Sequence, residues 1–587
     1  MDCEEYHPRP LAISDRLGAT FASCVVGLIF YLALPPVASA QSSLWGEDGS
    51  AWATDSILPE FSYAGYHRGD QPPPEPKAEV SVTDFGAKGD GETDDTEALR
   101  RALREAAGKT IGIPAGTYVI SGRLDLFDPN TVLVGEGPEK TILRFTRGLQ
   151  EIEPASATTG GGMATTQWSW SGGLITLGKS SGNGGSGTVA IVSEARRGES
   201  AFEVENADAF KVGEALLVRV TDSSERTLLD YVHRGRTGDI SRIGTQAFSI
   251  SQPVTVAAID GQRVTLDQRL RFDLRPEWSP VVSRFDNPSQ EIGIAEFTIA
   301  FPERPYRGHW MEDGLNGFEI RGANNWARNI RVRNSDSGAF VTGTWCTVDG
   351  LVLESDREAH ESGNTGHHGL TVQGRDCLAT NFAIETRFFH DITVSNNSVG
   401  SVISRGRGVD LSLDHHRAAP YENLFTEIDL GEGGRVFDSG GTSGKGLHTA
   451  SGATFWNLDA KNRFPLPGAE FGPPGTIFVG VNAGTVRSSD LPEGWHFEKI
   501  RPESLQPPNL HLAQLQRRRS APASGEGTGG AGEFHSWTNS EGNTLEARFH
   551  GLGPDGALLE TRDGRRFAYP LEKLDPASRA LARRLAE

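Results

Sequence analysis

The most constraining feature of this chain is the stretch from residue 80 to residue 145, in which a short strand, a tight turn and a helix follow one another. Three glycines mark the turn: Gly86, Gly89 and Gly91. The helix start is indicated by the capping oxygens and acidic groups of Thr93-Asp94-Asp95-Thr96. An apolar stripe at helical spacing follows, at Leu99, Ala102, Leu103 and Ala106. Short strands broken by turn residues come next, so the unit is a small helix set among β-strands.

The same segment resembles the N-terminal cap of the pectate-lyase superfamily. The matching motifs are Asp84 to Gly91, Asp94-Asp95, Pro114 to Tyr118, and Gly135-Glu136-Gly137 with Thr141-Ile142-Leu143. The resemblance implies an all-β fold, a right-handed parallel β-helix whose N-terminal end is covered by the helix. It also implies that Asp94 and Asp95 are capping residues. Because this cap occurs on lyases, hydrolases, epimerases and phage tailspikes, it indicates the fold and leaves the chemistry open.

Repeats become readable after residue 290. The chain divides into coils that begin near residues 316, 338, 368, 390, 409 and 434, and each coil holds two short strands broken by Gly or Asn. Their spacing is that of solenoid turns with loops. The strands of a parallel β-helix stack about 4.8 Å apart, so equivalent positions of successive coils should form columns.

The remaining segments predict a multi-part secreted protein. Residues 1–40 resemble a signal peptide, because the apolar run before Pro35 is shorter than the roughly 20 residues of a membrane helix and Ala38-Ser39-Ala40 follows. The acidic start of this segment leaves an uncleaved anchor or a misassigned start codon as alternatives. The other predicted parts are a linker at 41–78, a catalytic β-helix at 79–505 with a β insertion at 195–275, a linker at 506–533 and a small domain at 534–587.

Three smaller features carry predictions of their own. The small C-terminal domain resembles an SH3-like β-barrel of the kind attached to bacterial secreted proteins, which implies binding or tethering. The aromatic patch at 61–68 is expected to pack over the open end of the solenoid. Cys346 and Cys377 could form a disulfide or could be separate buried thiols.

The candidate site follows from strand alternation. If Leu370, Ile392 and Leu413 point inward, the opposite face of three neighbouring coils is polar and carries Asp391, Asp410 and Asp414. The last strand runs into Asp414-His415-His416-Arg417, the densest group of functional residue types in the chain. Further candidates from the same or neighbouring turns are His368, Arg387, His390, Tyr421, Asn423, Lys445 and, for stacking on sugar rings, Trp310, Trp326 and Trp345.

Two chemistries fit these residues. In a lyase acting on a uronate polysaccharide, His415, His416 or Arg417 could neutralise the substrate carboxylate, and Tyr421 or a histidine could remove the C5 proton. Asp391, Asp410 and Asp414 could instead hold Ca²⁺ through oxygen ligands. In a glycosidase, Asp391 and Asp410 on adjacent coils could form the carboxylate pair. The lyase is preferred, and a uronate epimerase or a non-catalytic glycan-binding protein remains an alternative.

Net charge restricts the partners. The chain carries 57 Lys and Arg against 77 Asp and Glu, a formal net charge of −20, which argues against nucleic acid as a ligand. An acidic polysaccharide remains compatible, since a basic site can lie on an acidic body. We therefore expect an anionic polysaccharide substrate, no nucleic acid and no stable membrane insertion.

Overall fold

The structure is a computed structural model that describes residues 39–180, 187–243, 248–287, 289–520, 534–540, 543–553, 556–561, 566–575, 578–579, 581–582 and 585. Most of the predicted signal peptide therefore lies outside the described residues. Among the residues described, no helix is long and apolar enough to span a membrane.

Two parallel sheets form the body of the molecule. The seven-stranded cleft sheet contains, in spatial order, Leu124–Leu126, Ile175–Leu177, Asn316–Ile320, Ser337–Val341, Gly366–Val372, Phe388–Val394 and Leu413–His415. The 16-stranded long sheet contains Val80–Ser81, Asp90–Asp94, Thr110–Gly112, Gly116–Ile120, Val132–Val134, Thr141–Phe145, Gly293–Ala300, Trp326–Arg333, Thr347–Glu354, Leu378–Thr380, Ala383–Ile384, Val402–Gly408, Leu424–Asp429, Thr454–Asp459, Ile477–Val481 and His496–Glu498. Successive coils after residue 290 give strands to both sheets, so the predicted parallel β-helix is confirmed.

The core of the solenoid lies between these sheets, where one side chain in two points inward. Leu370, Ile392 and Leu413 are in register on the cleft sheet and fully buried. They meet inward residues of the long sheet such as Ile403 and Phe425 in one continuous apolar cluster. Because matched positions repeat coil after coil, inward and outward columns stay separate along the whole solenoid.

The helix Thr96–Glu105 covers the N-terminal end of this core, as predicted. Its apolar stripe is buried against the first coils at Leu99, Ala102 and Leu103. Asp94 accepts from the Thr96 backbone N–H at 3.0 Å, whereas Asp95 accepts from Lys88 N at 2.7 Å and Gly89 N at 3.0 Å. The two acidic residues thus fix the helix start and the glycine turn.

The β insertion forms a six-stranded antiparallel sheet of its own. Its strands are Val189–Ala190, Ala201–Glu203, Ala215–Thr221, Ser249–Asp260, Arg263–Leu266 and Val281–Arg284, so the insertion extends beyond the predicted 195–275. Its apolar side packs on Val399, Tyr421 and Ala450 of the solenoid. A buried ion pair between Arg271 and Asp376 adds to this contact.

The segment 41–78 is no free linker, and the aromatic patch does not cover the open end. On its outer face the long sheet has a column of apolar side chains that includes Val402 and Leu424. Phe61 packs on this column. The helix Leu510–Ser520, inside the predicted second linker, covers the same column. Gln514 of that helix accepts from Phe61 N at 2.7 Å. The composition of both segments resembles that of a linker. They are ordered because their apolar side chains pack on the outer column of the long sheet.

The remaining elements are short. A parallel pair joins Ala40–Gln41 to Leu505–Gln506, and an antiparallel pair joins Ser156–Thr158 to Ala164–Thr166. Two further α-helices span Leu149–Ile152 and Thr227–Val232. The 3₁₀ turns are Glu47–Gly49, Tyr66–Gly69, Val82–Phe85, Gln167–Ser169, Ala207–Ala209, Pro276–Trp278, Ser488–Asp490, Pro502–Ser504 and Leu571–Lys573. Cys346 and Cys377 are free, buried thiols, the second of the two predicted alternatives.

The C-terminal region has a four-stranded antiparallel sheet. Its strands are Phe534–Thr538, Thr544–Gly553, Gly556–Thr561 and Arg566–Tyr569. Trp537, Phe549 and Leu559 form a small core of their own. The SH3-like barrel and its tethering role stay predictions.

Candidate functional site

Register brings the polar outer residues of the cleft sheet into one column. Thr371 pairs with Thr393, and Thr393 pairs with Asp414. His368 and His390 are likewise in register, and their rings stack with centroids 5.1 Å apart. Asp414 faces away from the core, as strand alternation predicts. His368 and His390, which strict alternation with Leu370 and Ile392 would turn inward, lie on the same face as Asp414.

Asp414 is the centre of this group. Its Oδ2 lies 2.8 Å from His416 Nδ1 and 3.2 Å from His390 Nδ1. Gly440 N donates to Oδ1 at 2.7 Å, and the Thr393 hydroxyl donates to Oδ2 at 3.1 Å. Burial would raise the pKa of Asp414, but the two histidines and these donors hold it well below its usual range. Asp414 is thus a fully buried, ionised carboxylate that orients both rings.

The histidines around Asp414 differ in protonation. Burial lowers the pKa of His416, but the Asp414 carboxylate outweighs it and leaves the His416 pKa raised. Burial lowers the pKa of His390 to about 3, against a smaller opposing effect of Asp414. Burial and the neighbouring histidines hold the pKa of His368 far below its ordinary value. The group therefore combines a His416 whose protonated form is favoured by Asp414 with neutral His368 and His390.

The hydrogen-bond chain also sets the tautomer of His368. The Thr393 hydroxyl has one hydrogen, which it donates to Asp414. It can therefore only accept from His368 Nδ1, which lies 3.4 Å away. The proton then sits on Nδ1, and His368 Nε2 is left as the basic nitrogen.

A cleft of about 520 Å³ opens above these residues. His368 and His416 lie on its wall with the cations Lys445 and Arg242. Trp170 and Trp310 contribute aromatic faces, with ring centroids 5.9 Å apart. The other lining residues are Thr158, Thr159, Gly160, Thr371, Gln373, Thr393, Ser395, Asn396 and Thr442. Such a cleft, polar and cationic with two indole rings, suits an anionic sugar chain.

A second buried pair borders the histidine cluster. His367 Nδ1 lies 3.1 Å from Glu312 Oε1, and both side chains are fully buried. The Ser169 hydroxyl donates to Glu312 Oε2 at 2.6 Å, and Tyr306 OH donates to Oε1 at 3.0 Å. The ring centroids of His367 and His368 are 4.1 Å apart. The Glu312–His367 pair is therefore in contact with His368 through the His367 ring.

His415 is not part of the cleft, contrary to the prediction. Strand alternation turns it inward, where its ring packs against Phe425 at 5.2 Å and Phe471 at 4.9 Å. Burial lowers its pKa to about 4. Arg417 also points away from the cleft lining, donating to Gly446 O and lying 3.2 Å from His448 Nε2. Of the predicted Asp-His-His-Arg cluster, Asp414 and His416 alone reach the site.

The structure does not support the predicted carboxylate pair. Asp391 Oδ2 accepts from Ser412 N at 2.8 Å and from the Arg435 guanidinium, and its Oδ1 accepts from Phe388 N at 2.9 Å. Asp410 lies near Arg435 and Arg387, at 3.8 and 3.7 Å. With these oxygens committed to the protein, neither a glycosidase pair nor a calcium set of Asp391, Asp410 and Asp414 is assembled.

Four of the remaining predicted residues lie elsewhere. Tyr421 is buried beneath the β insertion, and burial raises its pKa. Asn423 is committed to the backbone, with its Oδ1 accepting from Ser401 N at 3.1 Å. Trp345 is buried against Phe285, and Trp326 is buried in an apolar cluster beside Tyr66. Lys445 and Trp310, in contrast, line the cleft as predicted.

Sequence reasoning missed several cleft residues that loops supply. Arg242 of the β insertion reaches the cleft because its backbone N–H donates to Gly444 O at 2.8 Å. Thr442 comes from the same loop of the solenoid. Trp170 and Glu312 stand in irregular segments without periodicity. No pattern in the sequence marks these loop contacts.

The cluster also has the spacing of a metal site. One ligand atom from each of His390, Asp414 and His416 lies within 4.8 Å of the others. Two imidazoles and a carboxylate suit a transition metal better than Ca²⁺.

Comparisons with known proteins match parts of the chain. Residues 79–257 match the family model of rhamnogalacturonase A/epimerase, pectate lyase-like. Alginate lyase 7 of Azotobacter vinelandii is 39% identical over 82 residues, 12% of this chain and 10% of that protein. The preneck appendage protein of Bacillus phage PZA is 38% identical over 85 residues, 14% of this chain and 10% of that protein. The chain thus spans about a tenth of the length of these relatives.

Among solved structures, the A-module of mannuronan C-5 epimerase AlgE6 of Azotobacter vinelandii is 12% identical to this chain. The match covers 73% of this chain and 100% of that module, with a TM-score of 0.34.

Proposed function

We propose, from the match of residues 79–257 to the family model of rhamnogalacturonase A/epimerase, pectate lyase-like, that the chain is a pectate-lyase-like parallel β-helix enzyme. It would modify a uronate-containing polysaccharide, cleaving it by β-elimination. The observation that carries the proposal is the arrangement around Asp414. His368, with a lowered pKa, and His416, with a pKa raised by Asp414, lie on one wall of a cleft that also holds Lys445 and Arg242. Elimination needs a base, an acid and positive charge beside the substrate carboxylate, and the cleft contains all three.

The proposed steps follow from the protonation states. His368 Nε2 removes the C5 proton while Lys445 and Arg242 stabilise the negative charge that develops on the carboxylate side of the sugar. The C4–O4 bond then breaks, the electron pair of the C5–H bond forms the C4–C5 double bond, and His416 gives its proton to the departing oxygen. Asp414 stays ionised, favours the protonated form of His416 before the transfer and orients its ring.

A C5 epimerase shares the first step and is the second candidate. Its support is the family model, whose description includes epimerases, and the pair His368 and His416, since a base and an acid could serve the two faces of C5. The outcome then depends on whether the proton returns to carbon or O4 leaves. We further propose action outside the cytoplasm, on the signal-like pattern of residues 1–40.

The test is the ultraviolet absorbance of unsaturated uronate near 235 nm during incubation with alginate or polygalacturonate, with and without EDTA. We expect a rise with the wild type and none with His416→Phe. Insensitivity to EDTA is expected, since the mechanism uses side-chain cations. Reducing sugar released without any rise would contradict the elimination.

A further inference from the structure

A second groove adjoins the cleft where strands of the cleft sheet end. Ile320, Val341, Val372 and Val394 are in register, so the residues that follow them, Arg321, Thr342, Gln373 and Ser395, form the next column. The groove of about 270 Å³ runs along this column. Gln373 and Asn396 line both the groove and the cleft, so the two spaces are continuous.

The opposite wall of the groove comes from the β insertion. Arg219 and Ser251 are cross-strand partners in its sheet, and both line the groove together with Ser249. Their strand neighbours Val218 and Val220 point to the other side, into the apolar core of the insertion. The sheet of the insertion therefore has a polar face toward the solenoid. Asn397 Nδ2 donates to Ser249 O at 3.4 Å and ties the two walls together.

The ionisable side chains that line this groove are all arginines. Arg219, Arg321 and Arg375 line it, and none of its described lining residues is Asp or Glu. The other lining residues are hydroxyl, amide or small side chains and Ile250. Glu319 fixes the Arg321 guanidinium through two contacts of 2.8 Å from the strand beside the groove. Although Glu319 offsets the charge of Arg321, three guanidinium groups at one place on a chain of net charge −20 favour an anionic ligand.

We infer that this groove is a cationic subsite that binds a carboxylate of a sugar residue further along the chain held in the cleft. The inference rests on the proposed function, because it takes the ligand to be a polyuronate. Arg321 lies two coils from Gln373, about 10 Å along the solenoid at the usual strand spacing. The planar fork of arginine matches a carboxylate, and hydroxyl and amide groups between the arginines match sugar hydroxyls. The β insertion thus completes the binding surface for a long substrate.

The experiment compares Arg219→Gln with Arg263→Gln, which removes the same charge from an exposed position on the same insertion, outside the groove. Arg321→Gln tests the solenoid wall, and melting temperatures verify that each variant folds. Two readouts are taken: retardation in gels that contain alginate or polygalacturonate, and KM and kcat for polymer and for trisaccharide. We expect Arg219→Gln and Arg321→Gln to raise the KM for polymer about tenfold, with kcat and the trisaccharide KM unchanged.

The outcomes separate the subsite from the proposed function. Binding and turnover by the wild type, with Arg219→Gln and Arg321→Gln indistinguishable from Arg263→Gln, would overturn the subsite alone. If the wild type is neither retarded by a polyuronate nor active on one, the proposed function fails and the subsite fails with it. An equal rise in KM for trisaccharide and polymer would also contradict the inference, because a trisaccharide bound at the reacting centre should not depend on the distant arginines.

Discussion

Replacing Asp391 by Asn should destabilise the protein strongly while leaving the chemistry of the folded enzyme intact. Asp391 is buried, and its Oδ2 accepts from Ser412 N, the Ser412 hydroxyl and the Arg435 guanidinium. An amide at this position must turn its NH₂ either toward these three donors or toward Phe388 N, and it leaves the Arg435 charge without its anionic partner. Breaking a buried pair from one side costs about 3–5 kcal/mol.

Asp410→Asn is the matched control. Its carboxylate lies 3.7 and 3.8 Å from Arg387 and Arg435 and is partly exposed, so its loss should cost less than about 1 kcal/mol. Urea unfolding followed by fluorescence gives both free energies, and turnover per folded molecule is measured beside them. If both variants have the unfolding free energy of the wild type but no turnover, Asp391 and Asp410 act as a catalytic pair and the structural role assigned to Asp391 is wrong.

Three further results are expected around Asp414. His416→Phe should abolish turnover, whereas His415→Phe should retain it because His415 already packs among phenylalanines; equal losses would contradict the two orientations. Burial lowers the pKa of His415 to about 4, below its unfolded value, so the unfolded chain binds protons first and stability falls as the pH drops from 6.5 to 4. His415→Phe should therefore remove roughly 3 kcal/mol of this acid sensitivity, as urea unfolding at both pH values would reveal. Asp414→Asn removes the anion that raises the His416 pKa, so the alkaline limb of kcat/KM should move to lower pH.

The fold could be predicted because its signals are local. The cap motif around Asp94 and the alternation in the strands that hold Leu370 and Ile392 belong to single segments, and both have the predicted structure. The segments before residue 78 and after residue 506 were harder to interpret. Their apolar partners, such as Val402 and Leu424, lie far away in the sequence, so composition alone resembled a linker.

The site was predicted in part for a similar reason. Alternation correctly placed Asp414 on the outer face, but the same rule turns His415 inward and returns only His416 to the cleft. The prediction rested on how many functional residue types lie close together in the sequence, and this does not distinguish the opposite orientations of His415 and His416. Asp391 was misjudged because its partner Arg435 comes from another coil. Arg242 could not be found at all, since the loop contact with Gly444 has no sequence signal.

Proton NMR in D₂O follows the proposed removal of the C5 proton of a uronate in the cleft. Alginate or polygalacturonate is incubated with the wild type and with His368→Gln, and the C5 and C4 signals are followed. With the wild type we expect unsaturated product, or deuterium at an inverted C5 if the enzyme is an epimerase. With His368→Gln we expect no unsaturated product and no deuterium at C5. Cleavage that leaves every C5 proton in place, or full activity of His368→Gln, would contradict the proposed removal.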